Sequence, residues 1–175
     1  DDELILAHGE VPQLMPYLHL PIQSGSNHVL AAMNRRHTSD VYFAVIDKLR
    51  AVRPGIAMSG DLIVGFPGET ERDFAETLQL VNQVGYVSAY SLKYSPRPGT
   101  PAATIEQQVP EHVKAVRLES LQQLLNAHQF AFNKATEGQI VDVLVERSGG
   151  RAGQMAGRSP YMQAVNFVGD QSQIR

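Results

Sequence analysis

"LPIQSGSNHVLAAMNRRHT", Leu20 to Thr38, decides how the rest of the chain reads. It opens as a short apolar strand, turns through Ser24-Gly25-Ser26, and continues as a helix that ends on Arg35 and Arg36. Packing accounts for Leu20, Ile22, Val29, Leu30 and Met33. It accounts neither for Gln23 and Ser24 at a strand tip nor for a cationic pair one helix later. A strand tip followed by a helix is half of a β-α unit, and the chain repeats that unit downstream. "SDVYFAVIDKLRAVRP" (39–54) sets Val41, Val45, Ile46 and Leu49 on one helical face and stops at Pro54. "IAMSGDLIVGF" (56–66) is apolar and β-branched, as a buried strand requires. "TERDFAETLQLVNQVG" (70–85) opens with Thr70 and Asp73 at capping-box spacing and closes on Gly85. "VSAYSLKY" (87–94) is the next strand. Alternating strands and helices predict a parallel sheet, and three strands (17–23, 56–66, 87–94) are too few to close a barrel.

Further along, "SPRPGTPAA" (95–103) is a Pro/Gly-rich loop. A long helix is expected from about Pro110 to Thr136, with Leu118, Leu121, Leu125 and Phe132 down one stripe. After Gly138 the pattern changes to alternation. "QIVDVLVE" (139–146) and "YMQAVNFVG" (161–169) read as strands, with "RSGGRAGQ" (147–154) as the turn between them. The expected fold class is therefore α/β: β-α units on a parallel sheet that start as if in the middle of a domain, then a small antiparallel β unit that ends early. The boundaries read as 1–109 for the α/β part, 110–137 for the linking helix and 138–175 for the β unit.

Composition narrows the chemistry. The 175 residues contain no cysteine, so the chain offers no disulfide, no thiolate nucleophile and no thiolate ligand for iron–sulfur clusters. Its six histidines include no pair at H-x-x-x-H spacing, so no metal site is expected. No apolar run has the length of a membrane span, and the acidic start "DDELILAHGE" lacks a basic n-region, so a cytoplasmic location is expected. Net charge is -3. The basic residues after Gly138 are all arginines (Arg147, Arg151, Arg158, Arg175), against three acids, which hints at an anionic partner there.

Four polar positions stand out. Gln23 sits at a parallel strand end, where α/β proteins bind ligands, and its amide both donates and accepts; a cap for the Ser-Gly-Ser bend is the competing reading. Arg35 and Arg36 are either a solvated helix end favoured by the dipole or a guanidinium clamp for a carboxylate. Asp61 interrupts a buried strand, and a charge there is costly unless partnered. "GFPGE" (65–69) contains the GXXG of KH domains, but a strand precedes it and no basic residue lies within it. Neither a Walker A pattern nor a G-x-S-x-G elbow occurs. "RSPYMQAVNF" (158–167) places a cation, an aromatic ring and amides on one β unit, a surface suited to phosphates and stacked bases or, equally, a hairpin with Tyr161 in its core.

Taken together, "YLHLPIQSGSNHVLAAMNRRHT", "GDLIVGFPGETERDF", "YSPRPGTPAA" and "GRSPYMQAV" resemble the radical S-adenosylmethionine (SAM) methylthiotransferases, in the family's motif order and over nearly the whole chain. "LPIQSGS" points to the tRNA-modifying branch, because the ribosomal-protein branch usually carries something like "IPLQHAS". The resemblance implies that 1–109 are the C-terminal part of a partial TIM-like radical-SAM barrel, and that 138–175 are a truncated small antiparallel β (TRAM) domain that holds tRNA. It implies S-adenosyl-L-methionine and two 4Fe-4S clusters as cofactors, and C2 of an isopentenylated adenosine beside the anticodon as the target. By the same resemblance Gln23 and Asp61 hold the cofactor ribose, with Ser24 beside them, and Arg35 meets the methionyl carboxylate, while Arg36 stays on the surface. Arg147, Arg151, Arg158 and Tyr161 become the expected contacts to a tRNA anticodon stem-loop. The family's Cys-x-x-x-Cys-x-x-Cys loop and its separate cysteine-bearing N-terminal domain are missing, so the chain reads as a C-terminal fragment, inactive alone. A ribosomal-protein aspartate as substrate, or a non-catalytic RNA-binding module, are the alternatives.

Overall fold

A computed structural model describes residues 1–174; Arg175, counted above among the arginines of the C-terminal segment, lies outside them. The first sheet contains β1 (Tyr17–His19), β2 (Ala57–Val64) and β3 (Ser88–Lys93), all parallel, with β2 in the middle. Helices α2 (Asn27–Ala32) and α3 (Ser39–Val52) connect β1 to β2, and α4 (Glu71–Val84) connects β2 to β3. A parallel pair cannot be joined by a tight turn, so each step needs such a crossover. Met58, Leu62 and Val64 alternate along β2 into a core shared with Ile22, Leu30, Ile46, Leu49, Leu80 and Val81. Tyr86 is completely buried there, and its hydroxyl meets that of Tyr42 at 2.7 Å. Tyr42 donates in turn to the Leu20 carbonyl at 2.8 Å, and burial pushes its pKa up to about 12.

The helix ends follow the sequence signals. Thr70 and Asp73 form the reciprocal capping box of α4, and Gly85 closes that helix in the left-handed region at φ 63°. Helix α2 stops on a Schellman motif. Asn34 takes φ 57°, its N–H donates to the Ala31 carbonyl, and the Arg35 N–H donates to the Leu30 carbonyl.

Two elements differ from the sequence reading of the N-terminal half. Residues Asp2–Glu10 form a helix, α1, which that reading left without structure. It buries Ile5 and His8 against α3 and is tied to it by Lys48–Asp2 (2.8 Å) and by Arg53 Nη1 donating to the His8 carbonyl (3.0 Å). The strand expected over 17–23 breaks after His19. Pro21 has no N–H to give the ladder, and pairing resumes at a single bridge, Gln23 opposite Leu62.

Helix α5 (Glu111–Ala135) spans 25 residues beside β3 and α4. Its buried stripe contains Leu121 and Leu125 as expected, but it begins with two cations, Lys114 and Arg117. The second sheet is antiparallel, in the order β4 (Leu144–Ser148), β5 (Gln154–Arg158), β6 (Ala164–Val168). Its central strand β5 has no counterpart in the sequence reading, which gave Gln154 to a turn and left 155–157 unassigned, and β4 begins five residues later than expected. Met155 and Ala156 of β5 are buried between their neighbours. A β-bulge at Glu146 shifts the β4–β5 register. The sheet is held to α5 by a Tyr161–Phe132 edge-to-face contact at 5.5 Å and by Gln163 Nε2 donating to Asn133 Oδ1 at 2.9 Å. Among the described residues, no helix is long and apolar enough to cross a membrane.

Candidate functional site

The tip of the parallel sheet brings Gln23 and Asp61 together. The Gln23 N–H donates to the Asp61 carbonyl at 2.9 Å, and the Ile63 N–H donates to the Gln23 carbonyl at 2.8 Å. From His19–Ser59 to Gln23–Leu62, four steps along the first chain match three along β2, so one extra residue is accommodated. Gln23 absorbs it at φ 83°, a conformation that costs a non-glycine residue roughly 1–3 kcal/mol. The two hydrogen bonds to β2 hold it there. Its side-chain amide has no hydrogen-bond partner among the described residues, although the residue is buried. Asp61 Oδ2 likewise has no hydrogen-bond partner among the described residues, on a side chain that is 34% exposed. Asp61 Oδ1 lies 3.5 Å from His19 Nε2, and His19 Nδ1 lies 2.8 Å from Ser59 Oγ.

Ser24 goes elsewhere. It is completely buried; its hydroxyl lies 3.2 Å from the Thr77 hydroxyl and accepts from the Ser26 N–H. Gly25 packs so closely on α4 that an added Cβ would stand 2.6 Å from the Thr77 Cα. Ser26 caps α2 and donates to Asp73 Oδ1 at 2.5 Å. Burial of Asp73 works to raise its pKa, but the hydroxyls of Ser26 and Thr70, the Thr70 N–H and His28 outweigh burial and hold it at about 2. The Ser-Gly-Ser bend is thus fastened to the start of α4, which leaves Gln23 at the sheet tip. Arg35 and Arg36 are both exposed, and neither forms an ion pair among the described residues.

Sequence reasoning missed the partner of Glu69, at the end of the "GFPGE" loop. Glu69 is 5% exposed and accepts from the Gly65 N–H at 2.5 Å. Arg117, also 5% exposed, reaches Glu69 Oε2 at 2.8 Å and the Glu69 carbonyl at 3.2 Å. Its other nitrogen meets Glu71 at 2.6 Å, and the guanidinium lies 5.6 Å from the centre of the Phe74 ring. Burial raises the Glu69 carboxyl pKa, opposed by the Gly65 N–H and by Arg117. Lys114 crosses over Gly65, which adopts φ 73°, and donates to the Tyr94 carbonyl at 3.2 Å. The loops after β2 and β3 are thereby fixed to α5. An apolar stripe interrupted by Lys114 and Arg117, one turn apart, was the available signal.

The arginines expected to touch RNA are spread over the second sheet. Arg147 is exposed on β4, and Arg151 is exposed in the turn that follows. Arg158, the last residue of β5, is shared. Its Nε lies 3.6 Å from Glu146, and Nη1 donates to the Met162 carbonyl at 3.3 Å. Tyr161 is half-buried, packed on Phe132 as above. A cleft of about 640 Å³ runs between the parallel sheet, α5 and the turn after β5; Tyr17, His19, Tyr90, Gln129, Arg158 and Tyr161 line it.

Comparison with known proteins fits this geometry. The Radical SAM superfamily model matches residues 2–81, and the TRAM domain model matches residues 134–174. A tRNA-2-methylthio-N(6)-dimethylallyladenosine synthase from Erythrobacter litoralis is 58% identical over 170 residues, covering 97% of this chain and 38% of that protein. The synthase of the same name from Novosphingobium aromaticivorans is 57% identical over 169 residues, with the same two coverages. The chain thus spans 38% of the length of the curated relatives it matches. Among solved structures, coproporphyrinogen III oxidase from Escherichia coli, described as a radical SAM enzyme, superposes with a TM-score of 0.54 at 16% identity, over 83% of this chain and 41% of that one. That likeness is one of fold.

Proposed function

We propose that the chain, which matches the Radical SAM superfamily and TRAM domain models, belongs to the radical SAM methylthiotransferases and works as the cofactor-binding and RNA-gripping part of a tRNA methylthiotransferase. The proposed reaction adds a methylthio group to C2 of an isopentenylated adenosine beside the anticodon, and the proposed location is the cytoplasm. The observation that carries the cofactor assignment is the backbone pairing of Gln23 with Asp61. It brings to one parallel strand tip two residues whose side chains, the Gln23 amide and Asp61 Oδ2, have no hydrogen-bond partner among the described residues. The amide and the carboxylate suit the two hydroxyls of a ribose, and exposed Arg35 suits the methionyl carboxylate. Ser24 supports the bend and keeps Gln23 in place. When bound, S-adenosyl-L-methionine supplies one-electron bond cleavage for C–H activation.

The 4Fe-4S clusters do not fit this chain, which has no cysteine. Their ligands are assigned to a part of the enzyme corresponding to the stretch of the curated relatives that this chain does not span. The proposed division is 1–109 for the barrel part, 110–137 for the linking helix and 138–175 for the TRAM domain. The tRNA anticodon stem-loop is the proposed partner, met by Arg147, Arg151, Arg158 and Tyr161. In support, Arg158 and Tyr161 share one cleft with His19, which touches Asp61.

The test uses the intact enzyme, reconstituted anaerobically with iron and sulfide. It is given S-adenosyl-L-methionine and an anticodon stem-loop containing isopentenyladenosine. Nucleoside mass spectrometry should show the methylthio product. Arg147→Ala and Arg151→Ala should each flatten the salt dependence of RNA binding by about 0.7–0.9 of a log unit per log unit or less, with S-adenosyl-L-methionine affinity unchanged. Modification of a ribosomal-protein aspartate instead, or RNA binding with no salt response to either substitution, would overturn the reading.

A further inference from the structure

We propose that His19 and Ser59 form a positioning pair that orients the Asp61 carboxylate toward the cofactor; the inference rests on the ribose assignment made above. Ser59 and Asp61 lie two residues apart on β2, so both project from the face opposite the buried Met58 and Leu62. His19 is the cross-strand partner of Ser59 on β1. The sheet register therefore places a hydroxyl, an imidazole and a carboxylate in a row: Ser59 Oγ to His19 Nδ1 at 2.8 Å, and His19 Nε2 to Asp61 Oδ1 at 3.5 Å.

The direction of the first bond follows from burial. Ser59 is 2% exposed, and among the described residues His19 is the one partner of its hydroxyl. A buried hydroxyl proton without an acceptor costs more than an unused lone pair, so Oγ–H donates to Nδ1. A neutral ring then carries its proton on Nε2, facing the carboxylate. The other tautomer would strand the serine proton and turn a lone pair toward Asp61. The assignment comes from the hydrogen-bond network, as imidazole tautomers ordinarily must. At 3.5 Å the second contact is longer than a hydrogen bond. It biases the carboxylate, drawing Oδ1 toward the ring and leaving Oδ2 for a ligand. A nucleophilic serine is the other chemistry this row could support; Ser59 lines the cleft but is only 2% exposed, and its hydroxyl proton is committed to the His19 ring. Its hydroxyl serves the ring.

The experiment has two readouts on the intact enzyme. Ring-nitrogen NMR of 15N-histidine-labelled protein, with His19 assigned by substitution, reports the tautomer. It should show Nε2–H in the wild type and a mixed or inverted tautomer in Ser59→Ala. Calorimetric titration with S-adenosyl-L-methionine reports the consequence. Asp61→Asn should weaken binding about ten-fold or more, and His19→Phe about three- to ten-fold. His19→Gln, whose amide can still donate near the Nε2 position, should recover part of that loss, and His19→Asn, which is too short, should not. In an Asp61→Asn background, His19→Phe should cost nothing further. If Asp61→Asn leaves affinity unchanged, the ribose assignment falls and the positioning role falls with it. If Asp61→Asn weakens binding but the His19 loss is additive to it, or the wild-type ring carries its proton on Nδ1, the positioning role alone is refuted.

Discussion

Arg117→Met should destabilise the fold by about 3 kcal/mol at neutral pH and by less at acid pH. The substitution keeps much of the side chain's volume and removes its charge. Removing one partner of a buried ion pair costs roughly 3–5 kcal/mol, because the other charge is left uncompensated. The lower figure applies here for two reasons. Glu69 keeps the Gly65 N–H at 2.5 Å, and the contact from Arg117 to Glu71 counts for little because the Glu71 side chain is 82% exposed. For a chain of this size, about 2–4 °C per kcal/mol gives a fall in Tm of roughly 6–12 °C. The pH dependence follows from Glu69, whose carboxyl pKa burial already raises above the usual 4.5. A folded state that holds its proton more tightly than the unfolded chain loses stability as pH rises through the raised value. Without Arg117 that value rises further, so the penalty is largest at neutral pH and shrinks toward about pH 4. Adding Glu69→Gln, which can still accept from Gly65 but carries no charge, should recover half or more of the loss. Urea unfolding followed by circular dichroism at about pH 4.5 and 7.5 measures all three proteins. A loss below about 1 kcal/mol, or one that grows toward acid, would refute the argument.

Two other substitutions test the fastening of the Ser-Gly-Ser bend. Asp73→Asn should cost about 2 kcal/mol at neutral pH; because the Asp73 pKa is depressed, its contribution is present above the ordinary carboxylate value and lost as pH falls toward about 2, so the variant should show a flatter acid limb in an acid-unfolding titration. Gly25→Ala should destabilise by about 1–3 kcal/mol or more in urea melts, since its Cβ would meet α4 backbone atoms at 2.5 and 2.6 Å that have no room to yield.

Much of the order of elements was legible because it rests on local rules. Thr70 and Asp73 cap α4 through bonds three residues apart, and Gly85 ends it by a conformation that glycine adopts freely. The apolar run around β2 has to be buried wherever the chain goes. α1 was missed because Ile5 and His8 are its buried residues, and their burial depends on α3. β5 was missed because Gln-Met-Ala-Gly-Arg has little strand preference of its own; pairing on both sides makes it the centre of its sheet. Arg158 and Tyr161 were placed in the correct β unit, but their engagement with Glu146 and Phe132 depends on a bulge and on the docking of α5.

By itself the sequence determined that strands alternate with helices, that they number three, and that a β unit follows a long helix, because hydrophobic period and turn chemistry are properties of neighbouring residues. It also marked Gln23 and Asp61 as polar positions that packing leaves unexplained. The tertiary structure alone decided that these two residues are hydrogen-bonded neighbours, that Ser24 turns inward to Thr77, and that His19 and Ser59 stand in line with Asp61. It likewise joined Glu69 to Arg117, 48 positions away. Such contacts are set by strand register and by the docking of one helix on another. Both depend on segments far apart in the chain, whose meeting no local pattern encodes.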